Sequence, residues 1–230
     1  ILNGSQTTFF FLFNMLAGKH ADGSNKHIFL PIVPEYIGYA DQGMAENFFV
    51  AAKPDIDLID EHTFKYRINF KQVNITDDTA AICLSRPTNP TGNVMTDEEI
   101  AELHERAVKH NIPLIIDNAY GAPFPHIIFT DIHPFWDEHT IYVMSMSKIG
   151  LPSSRTSIII ASEEVISRMS SINAIASLAT VTLGQQLMLP YVKDGSIDDI
   201  SHSIVKPFYQ KKSEQAISYF HDLMKDTNIS

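Results

Sequence analysis

The sequence predicts an α/β fold in which helices cover both faces of a mostly parallel sheet. Short apolar runs of β-type alternate with helical patterns along the chain. Several of these runs are continuously apolar, which is typical of strands that are buried on both faces. The candidate strands span residues 28–33, 80–84, 113–117, 140–144 and 156–161.

The clearest strand–helix–strand unit contains a helix that begins after Thr96. Thr96 can cap this helix, and because Glu99 follows three residues later the two residues form a capping box. Ile100, Leu103 and Ala107 then fall on one face of the helix. Crossovers of this kind join parallel strands and are right-handed.

Composition limits what the chain can be. With 230 residues, of which 44% are hydrophobic, the chain can form one large domain with a substantial core. The net charge of −10 argues against a nucleic-acid partner, since phosphate neutralisation requires clustered Lys and Arg. The apolar run at residues 9–13 is too short to span a bilayer, so no membrane partner is expected.

The single cysteine and the chain ends lead to three further expectations. Cys83 lies in an apolar strand, where a small core residue is a better interpretation than a nucleophile, and a lone cysteine fits a reducing compartment such as the cytoplasm. The opening residues 1–4 look like the middle of a protein rather than a signal peptide. Residues 208–225 are expected to form one long helix.

One group of residues could bind an anion. Gly4 and Ser5 precede an apolar helix, and backbone N–H groups at a helix start attract anions. Arg155 could contact a phosphate through two parallel hydrogen bonds, and Ser145 is a third candidate donor. Taken singly, Ser5 is more simply a helix cap and Arg155 a surface arginine.

A second group could bind a pyridine ring. Asp117 ends a candidate strand, and its carboxylate could keep a ring nitrogen protonated, so that the ring acts as an electron sink. Tyr120 and Asn89 could donate to a phenolic oxygen, and Tyr36 could stack on the ring. Each residue also has an ordinary structural interpretation. Asp117 could be a turn aspartate and Tyr120 a core tyrosine, while Asn89 could form an Asx turn and Tyr36 could be an aromatic packing residue.

Lys148 follows the strand at 140–144, within the sequence Ser-Met-Ser-Lys. A lysine amine can form a Schiff base when its surroundings lower its pKa. Most lysines are surface charges, and Lys148 alone would be interpreted as one. Together with the phosphate and ring candidates, it matches the requirements of pyridoxal 5'-phosphate (PLP), and no metal is expected.

The ordered set of motifs resembles the class I aminotransferases, which are PLP-dependent enzymes of fold type I. Asn-Pro-Thr-Gly at 89–92, Asp-x-x-Tyr at 117–120 and Ser-x-Ser-Lys at 145–148 carry this resemblance. Further stretches at 34–41, 85–94, 116–121, 147–152 and 205–209 resemble the branch of the family that exchanges amino groups between valine and pyruvate.

The resemblance implies a three-layer α/β/α large domain and a role for each residue. Lys148 would form the internal aldimine and carry a proton between substrate and cofactor. Asp117 would pair with the ring nitrogen, Tyr120 and Asn89 would contact the phenolic oxygen, and Tyr36 would stack on the ring. The phosphate would be held by Gly4, Ser5, Gln6, Ser145 and Arg155. The reaction implied is L-valine plus pyruvate to 3-methyl-2-oxobutanoate plus L-alanine, in a homodimer.

The chain departs from the family pattern in two respects. Arg155 follows Lys148 by seven residues, where many members have one more. Members are also longer, so residues 1–205 are expected to be a large domain without its start, and residues 206–230 a helix that leads toward a small C-terminal domain. The arginine that grips the substrate carboxylate would lie outside this chain. Two alternatives stay open: the PLP-binding domain of a transcription regulator, and a PLP-dependent lyase.

Overall fold

A seven-stranded sheet forms the centre of the fold in the computed structural model, which describes residues 1–225. The strands are β1 (Gly18–Lys19), β2 (Asn25–Leu30), β3 (Phe49–Ala51), β4 (Asp55–Leu58), β5 (Phe64–Arg67), β6 (Thr79–Ser85), β7 (Leu114–Asp117), β8 (Thr140–Ser145) and β9 (Ser157–Ile160). Within the sheet the order is β1-β2-β6-β7-β8-β9, and β3 also pairs with β2, while β4 and β5 form a separate hairpin.

The sheet is mostly parallel, as predicted. β3, β2, β6, β7 and β8 run in the same direction, whereas β1 and β9 are antiparallel to their neighbours. The register between β6 and β7 places Ser85 opposite Asp117. Because parallel strands end at the same edge of a sheet, β6, β7 and β8 all end at one edge, with β8 extending two residues beyond the partner of Asp117.

Helices cover both faces of the sheet. They are α1 (Ser5–Leu16), α2 (Asp97–Lys109), α3 (Glu163–Ser177), α4 (Leu183–Lys193), α5 (Ser196–Ile200) and α6 (Lys206–Met224). One buried cluster joins α2 to the sheet, and a second cluster joins α1 and α3 to the opposite face. The three layers expected from the sequence are therefore present.

Strand β6 illustrates why its sequence is apolar without alternation. Ile82 and Leu84 pack into the cluster that contains α2, while Ala81 and Cys83 pack into the cluster that contains α1. All four side chains are fully buried. Burying an Ile or Leu stabilises the fold by about 1.5–3 kcal/mol relative to leaving it exposed. Burial also raises the pKa of the Cys83 thiol, which fits a core residue.

The predicted capping box is present at the start of α2. The Thr96 hydroxyl accepts a hydrogen bond from the Glu99 N–H at 3.2 Å, and the Glu99 carboxylate accepts one from the Thr96 N–H at 2.8 Å. This cap fixes where the chain turns back after β6. The crossover then delivers β7 beside β6.

Two regions differ from the sequence prediction. Strand β2 ends at Leu30, whereas the sequence predicted a strand over 28–33. The segment at 51–78, for which the sequence gave no clear organisation, contains the end of β3 and the β4–β5 hairpin. The long C-terminal helix is confirmed as Lys206–Met224, and the last five residues of the predicted 206–230 segment lie outside the described residues. Within residues 1–225 the helices are all too short or too polar to cross a bilayer.

Candidate active site

A cavity of about 160 Å³ lies where the carboxyl ends of β6, β7 and β8 meet the start of α1. Nine of the ten residues that the sequence predicted for the site line this cavity, and the tenth, Gly4, contacts one of them. The lining residues are Ser5, Gln6, Phe9, Tyr36, Ser85, Pro87, Asn89, Asp117, Ala119, Tyr120, Ser145, Ser147, Lys148 and Arg155.

One end of the cavity is built from the start of α1 and from Arg155. Gly4 caps α1 with φ of +90°, a backbone conformation that favours glycine. A Cβ added at Gly4 would lie 2.5 Å from Nη2 of Arg155, so only glycine allows the guanidinium to lie against the helix start. Ser5 and Gln6, in the first turn of α1, line the cavity beside it. The helix N-terminus and the guanidinium both favour an anion here.

Arg155 differs from the other arginines of the chain in its partners. Arg67, Arg86, Arg106 and Arg168 each form an ion pair with a carboxylate. Arg155 has no such ion pair within residues 1–225, and it adopts a positive φ of 42°. An arginine that has a rare backbone conformation and whose guanidinium is not paired with a carboxylate is suited to a bidentate contact with a phosphate.

Asp117 lies at the floor of the cavity and is 6% exposed. Its carboxylate accepts hydrogen bonds from the Tyr39 hydroxyl at 2.8 Å and from the Ala119 N–H at 3.1 Å. Burial raises the pKa of Asp117 to about 6, although these hydrogen bonds and the charge of Lys148 act in the opposite direction. A buried carboxylate that is not neutralised by an adjacent cation favours a cationic group placed next to it.

Lys148 lies in a 3₁₀ turn, Met146–Ile149, directly after β8. Its ammonium is 5.1 Å from the centroid of the Tyr120 ring, so Lys148 and Tyr120 face the same space. Ser145 ends β8 and accepts a hydrogen bond from the Ser147 N–H at 3.2 Å, which fixes the start of this turn. The structure thus brings the lysine, the aspartate and the tyrosine of three separate motifs to one cavity.

Tyr36 and Asn89 lie on two loops that border the cavity. The Tyr36 ring lies 5.4 Å from the Tyr39 ring at 88°, which sets its orientation. Gln6 donates a hydrogen bond to the Gly38 carbonyl at 3.1 Å and so joins α1 to the same loop. Asn89 stands in the turn after β6, where the Gly92 N–H donates to the Thr88 carbonyl. The positions of both side chains are compatible with the predicted contacts.

Of the residues at the site that were not singled out from the sequence, three form side-chain hydrogen bonds there. Glu35 and Tyr39 belong to the stretch at 34–41, from which only Tyr36 was chosen, and Ser85 closes β6. Glu35 accepts hydrogen bonds from both the N–H and the hydroxyl of Ser85, fifty residues away. The only sign of Glu35 in the sequence was an acidic residue within Pro-Glu-Tyr. Its hydrogen-bond partner, Ser85, is brought to it by the tertiary fold.

The donor set fits the cofactor that the motifs imply. A phosphate would be held by the backbone at the start of α1, which Gly4 leaves accessible, and by the guanidinium of Arg155. A pyridinium nitrogen requires a buried acid such as Asp117, and an aldehyde requires an amine such as Lys148.

Comparison with known proteins gives concordant results. The family profile described as "Aminotransferase class I and II" matches residues 53–225. Valine–pyruvate aminotransferase of Escherichia coli K12 is 48% identical over 218 residues, which is 95% of this chain and 52% of that protein.

Two solved structures are also similar. A putative amino-acid aminotransferase from Psychrobacter arcticum 273-4 superposes with a TM-score of 0.94 at 44% identity, over 98% of this chain and 54% of that chain. Valine–pyruvate aminotransferase from Salmonella typhimurium LT2 superposes with a TM-score of 0.87 at 47% identity, over 94% of this chain and 54% of that chain. The chain therefore spans about half the length of the relatives that it matches.

Proposed function

The chain belongs to the class I and II aminotransferases, and we propose that it forms the PLP-binding large domain of a transaminase that acts on valine and pyruvate. The observation that carries this proposal is the convergence of Lys148, Asp117 and Tyr120 on one cavity whose far end is built by Arg155 and the start of α1. The cofactor of this family is pyridoxal 5'-phosphate.

PLP supplies, when bound, an aldehyde carbon that condenses with amines and a protonated ring that withdraws electrons. Lys148 would hold the aldehyde carbon. Its amine would be the base that removes the proton from the substrate α-carbon and carries it to the C4' carbon. The Lys148 ammonium lies 5.1 Å from the centroid of the Tyr120 ring, and both residues line the cavity.

Asp117 would hold the proton on the ring nitrogen. In the chain as described, burial raises its pKa to about 6, so above that pH the carboxylate is an ionised acid in a poorly solvated position. A cationic ring would lower that pKa again, because an opposite charge stabilises the ionised form. Tyr39 would keep the carboxylate oriented through its hydrogen bond to Oδ2.

Arg155, Gly4, Ser5, Gln6 and Ser145 would hold the phosphate, while Tyr36 would cover the ring and Asn89 and Tyr120 would contact its phenolic oxygen. Orientation of this kind contributes to catalysis because it removes the entropic cost of positioning the reacting groups. All of these residues except Gly4 line the one cavity, which supports the assignment.

The substrate proposal depends on similarity. A relative that is 48% identical over 95% of this chain is named for valine and pyruvate, whereas the regulator alternative has no comparable support. We further propose that residues 1–205 are the large domain, that the helix from residue 206 leads toward a small domain, and that the protein works as a homodimer in the cytoplasm.

Half-reactions of the purified, PLP-loaded protein would test the proposed function. L-Valine is expected to remove the visible absorbance of the bound cofactor and to yield 3-methyl-2-oxobutanoate, and pyruvate is then expected to restore the absorbance and to yield L-alanine. PLP binding without turnover would support the regulator alternative. Release of ammonia together with a keto acid would support a lyase.

A further inference from the structure

Glu35 is a second acid beside the cavity, partly buried, and the chemistry described above does not use it. Its carboxylate accepts three hydrogen bonds: from the Ser85 N–H at 2.9 Å, from the Ser85 hydroxyl, and from the Tyr36 N–H at 2.8 Å. Two of the donors belong to the last residue of β6, and the third belongs to the residue whose ring borders the cavity. The side chain therefore links the loop after β2 to the sheet.

These partners suit an ionised carboxylate. A carboxylate has acceptor sites for all three donors, whereas a protonated acid must direct its own hydrogen at one of them. Only the Ser85 hydroxyl can accept that hydrogen, since the two backbone groups are N–H donors. Protonation of Glu35 would thus reverse or break the Ser85 hydroxyl contact and loosen the connection to Tyr36.

The surroundings of Glu35 place it next to the proposed ring site. Ser85 stands opposite Asp117 in the register of β6 and β7, so the residue that donates to Glu35 is the direct neighbour of Asp117. The ionisable groups that face Glu35 are Asp117 of β7, Tyr39 of the same loop and Cys83 of β6. Glu35 forms no ion pair with Lys, Arg or His in the portion of the chain that is described. Burial raises its pKa to about 7, against the hydrogen bonds from Ser85 and Tyr36.

We propose that Glu35 is a positioning residue whose ionised carboxylate fixes the main chain of Tyr36 to the end of β6, and so sets the wall against which the cofactor ring stacks. This inference rests on the proposed PLP site. Glu35 does not line the cavity, whereas Tyr36 and Ser85 do, so it would act through these two residues.

Glu35→Gln is the nearest substitution in shape. Its amide can accept through only one oxygen and presents an NH₂ group to the remaining donors, so at least one hydrogen bond is lost. When Glu35 is ionised, we expect the variant to bind PLP about tenfold more weakly than wild type, the effect of losing one charge-assisted hydrogen bond. Glu46→Gln is the matched control, because Glu46 lies in the same β2–β3 connection but is exposed.

The experiment is a titration of PLP, followed by protein fluorescence and cofactor absorbance, for both variants and wild type between pH 5.5 and pH 8.5. The quantity to compare is the ratio of the variant Kd to the wild-type Kd. Because Asp117 and the phosphate titrate in every protein, their effects largely cancel in this ratio. We expect a ratio of about ten at pH 8.5 that falls toward one at pH 5.5, where wild-type Glu35 is itself neutral. Glu46→Gln is expected to stay near one throughout.

The outcomes separate this inference from the function on which it rests. A wild-type protein that fails to bind PLP overturns the proposed function. A wild-type protein that binds PLP, with a Glu35→Gln ratio that stays near one or is constant across pH, overturns the role of Glu35. A constant ratio above one would mean that Glu35 only packs.

Ser85→Ala provides a second test if Glu35→Gln unfolds. It removes one donor, and because that hydrogen bond lowers the pKa of Glu35, the pH at which PLP affinity rises should shift upward. An unchanged pH profile for Ser85→Ala would also overturn the proposal.

Discussion

Ser85, the last residue of β6, and Arg86, which follows it, contact two regions of the molecule with different electrostatics. Ser85 turns toward the cavity and donates to Glu35 at 2.9 Å, whereas Arg86 turns toward α2 and donates to Asp97 at 2.6 Å. Around Arg86 every group is paired: the guanidinium also donates to the carbonyls of Met95 and His133. Around Ser85 the acids Glu35 and Asp117 have no cation within ion-pair distance among residues 1–225.

The pKa values of the two regions express the same contrast. Burial acts to raise the pKa of Asp97, but hydrogen bonds from Arg86 and His133 prevail and lower it to about 2. Burial raises the pKa of Asp117 to about 6, because the hydrogen bonds from Tyr39 and Ala119 and the charge of Lys148 do not offset it. We call the Arg86–Asp97 region the anchor, and its two charges are paired with each other. The Asp117 carboxylate at the cavity would gain an adjacent opposite charge from a cationic ring.

Asp117→Asn should have the largest effect on the cavity. Removing the carboxylate removes the partner of the ring nitrogen, so PLP affinity should fall by roughly 30-fold or more, which is the lower end of what a desolvated charge pair contributes. The measurement is a PLP titration at pH 8. The free energy of unfolding of the apoprotein should not decrease, since the variant also removes a poorly solvated charge. Unchanged PLP affinity would contradict the assigned role of Asp117.

Asp97→Asn should have the opposite profile. Arg86 is buried, and loss of its partner should destabilise the apoprotein by about 2 kcal/mol, a value reduced from that of a fully buried pair because Asp97 is 38% exposed. Urea unfolding would measure this loss. PLP affinity at a temperature where the variant is folded should equal that of wild type; a parallel loss of affinity would show that anchor and cavity are not independent.

The pH dependence of apoprotein stability should separate the two aspartates. Asp117 has a folded pKa raised from 3.8 to about 6, so its contribution to stability is complete below pH 3.8 and is lost as the pH rises through 6. As the pH rises from 4.5 to 7.5, the free energy of unfolding of the wild-type apoprotein should therefore fall by up to about 2 kcal/mol relative to that of Asp117→Asn.

Asp97 provides the control for this measurement. Its folded pKa is lowered to about 2, so its contribution is present above 3.8 and is lost only as the pH falls through 2. The difference between wild type and Asp97→Asn should be constant from pH 4.5 to pH 7.5. If Asp97→Asn and Asp117→Asn differed from wild type in stability by the same pH-dependent amount, the contrast between the two aspartates would be wrong.

Gly4→Ala should have a smaller effect that is confined to the phosphate end. The new Cβ would lie 2.5 Å from Nη2 of Arg155 and would displace the guanidinium, so we expect PLP affinity to fall by about tenfold. Gly23→Ala is a matched control: Gly23 has φ of +87°, close to the +90° of Gly4, but nothing lies within 4 Å of its added Cβ. Both substitutions should strain the backbone, and only Gly4→Ala should weaken PLP binding.

The sequence predicted the parts of the site that are encoded locally. Asp117 and Ser145 end apolar runs, Thr96 and Glu99 form a capping box, and the turn at 89–92 carries its own proline and glycine, so each was visible within a few residues. Their convergence followed from the rule that parallel strands end at one edge.

What could not be predicted depends on contacts between distant residues. Tyr39 meets Asp117 across 78 positions, and Glu35 meets Ser85 across fifty. No local pattern specifies those pairs, and Glu35 by composition is an ordinary surface residue. The β4–β5 hairpin was missed for a related reason: all four residues of β4 are exposed, so β4 shows no apolar face in its sequence.

The most direct test of the account is to identify which lysine binds the cofactor. The PLP-loaded protein is reduced with borohydride, digested, and analysed by mass spectrometry for a peptide that carries the reduced pyridoxyl group. We predict a single modified residue, Lys148, and no modification in Lys148→Ala, with Lys193→Ala as an exposed control that should retain it. Modification of a different lysine in wild type, or an unchanged label in Lys148→Ala, would contradict the central claim.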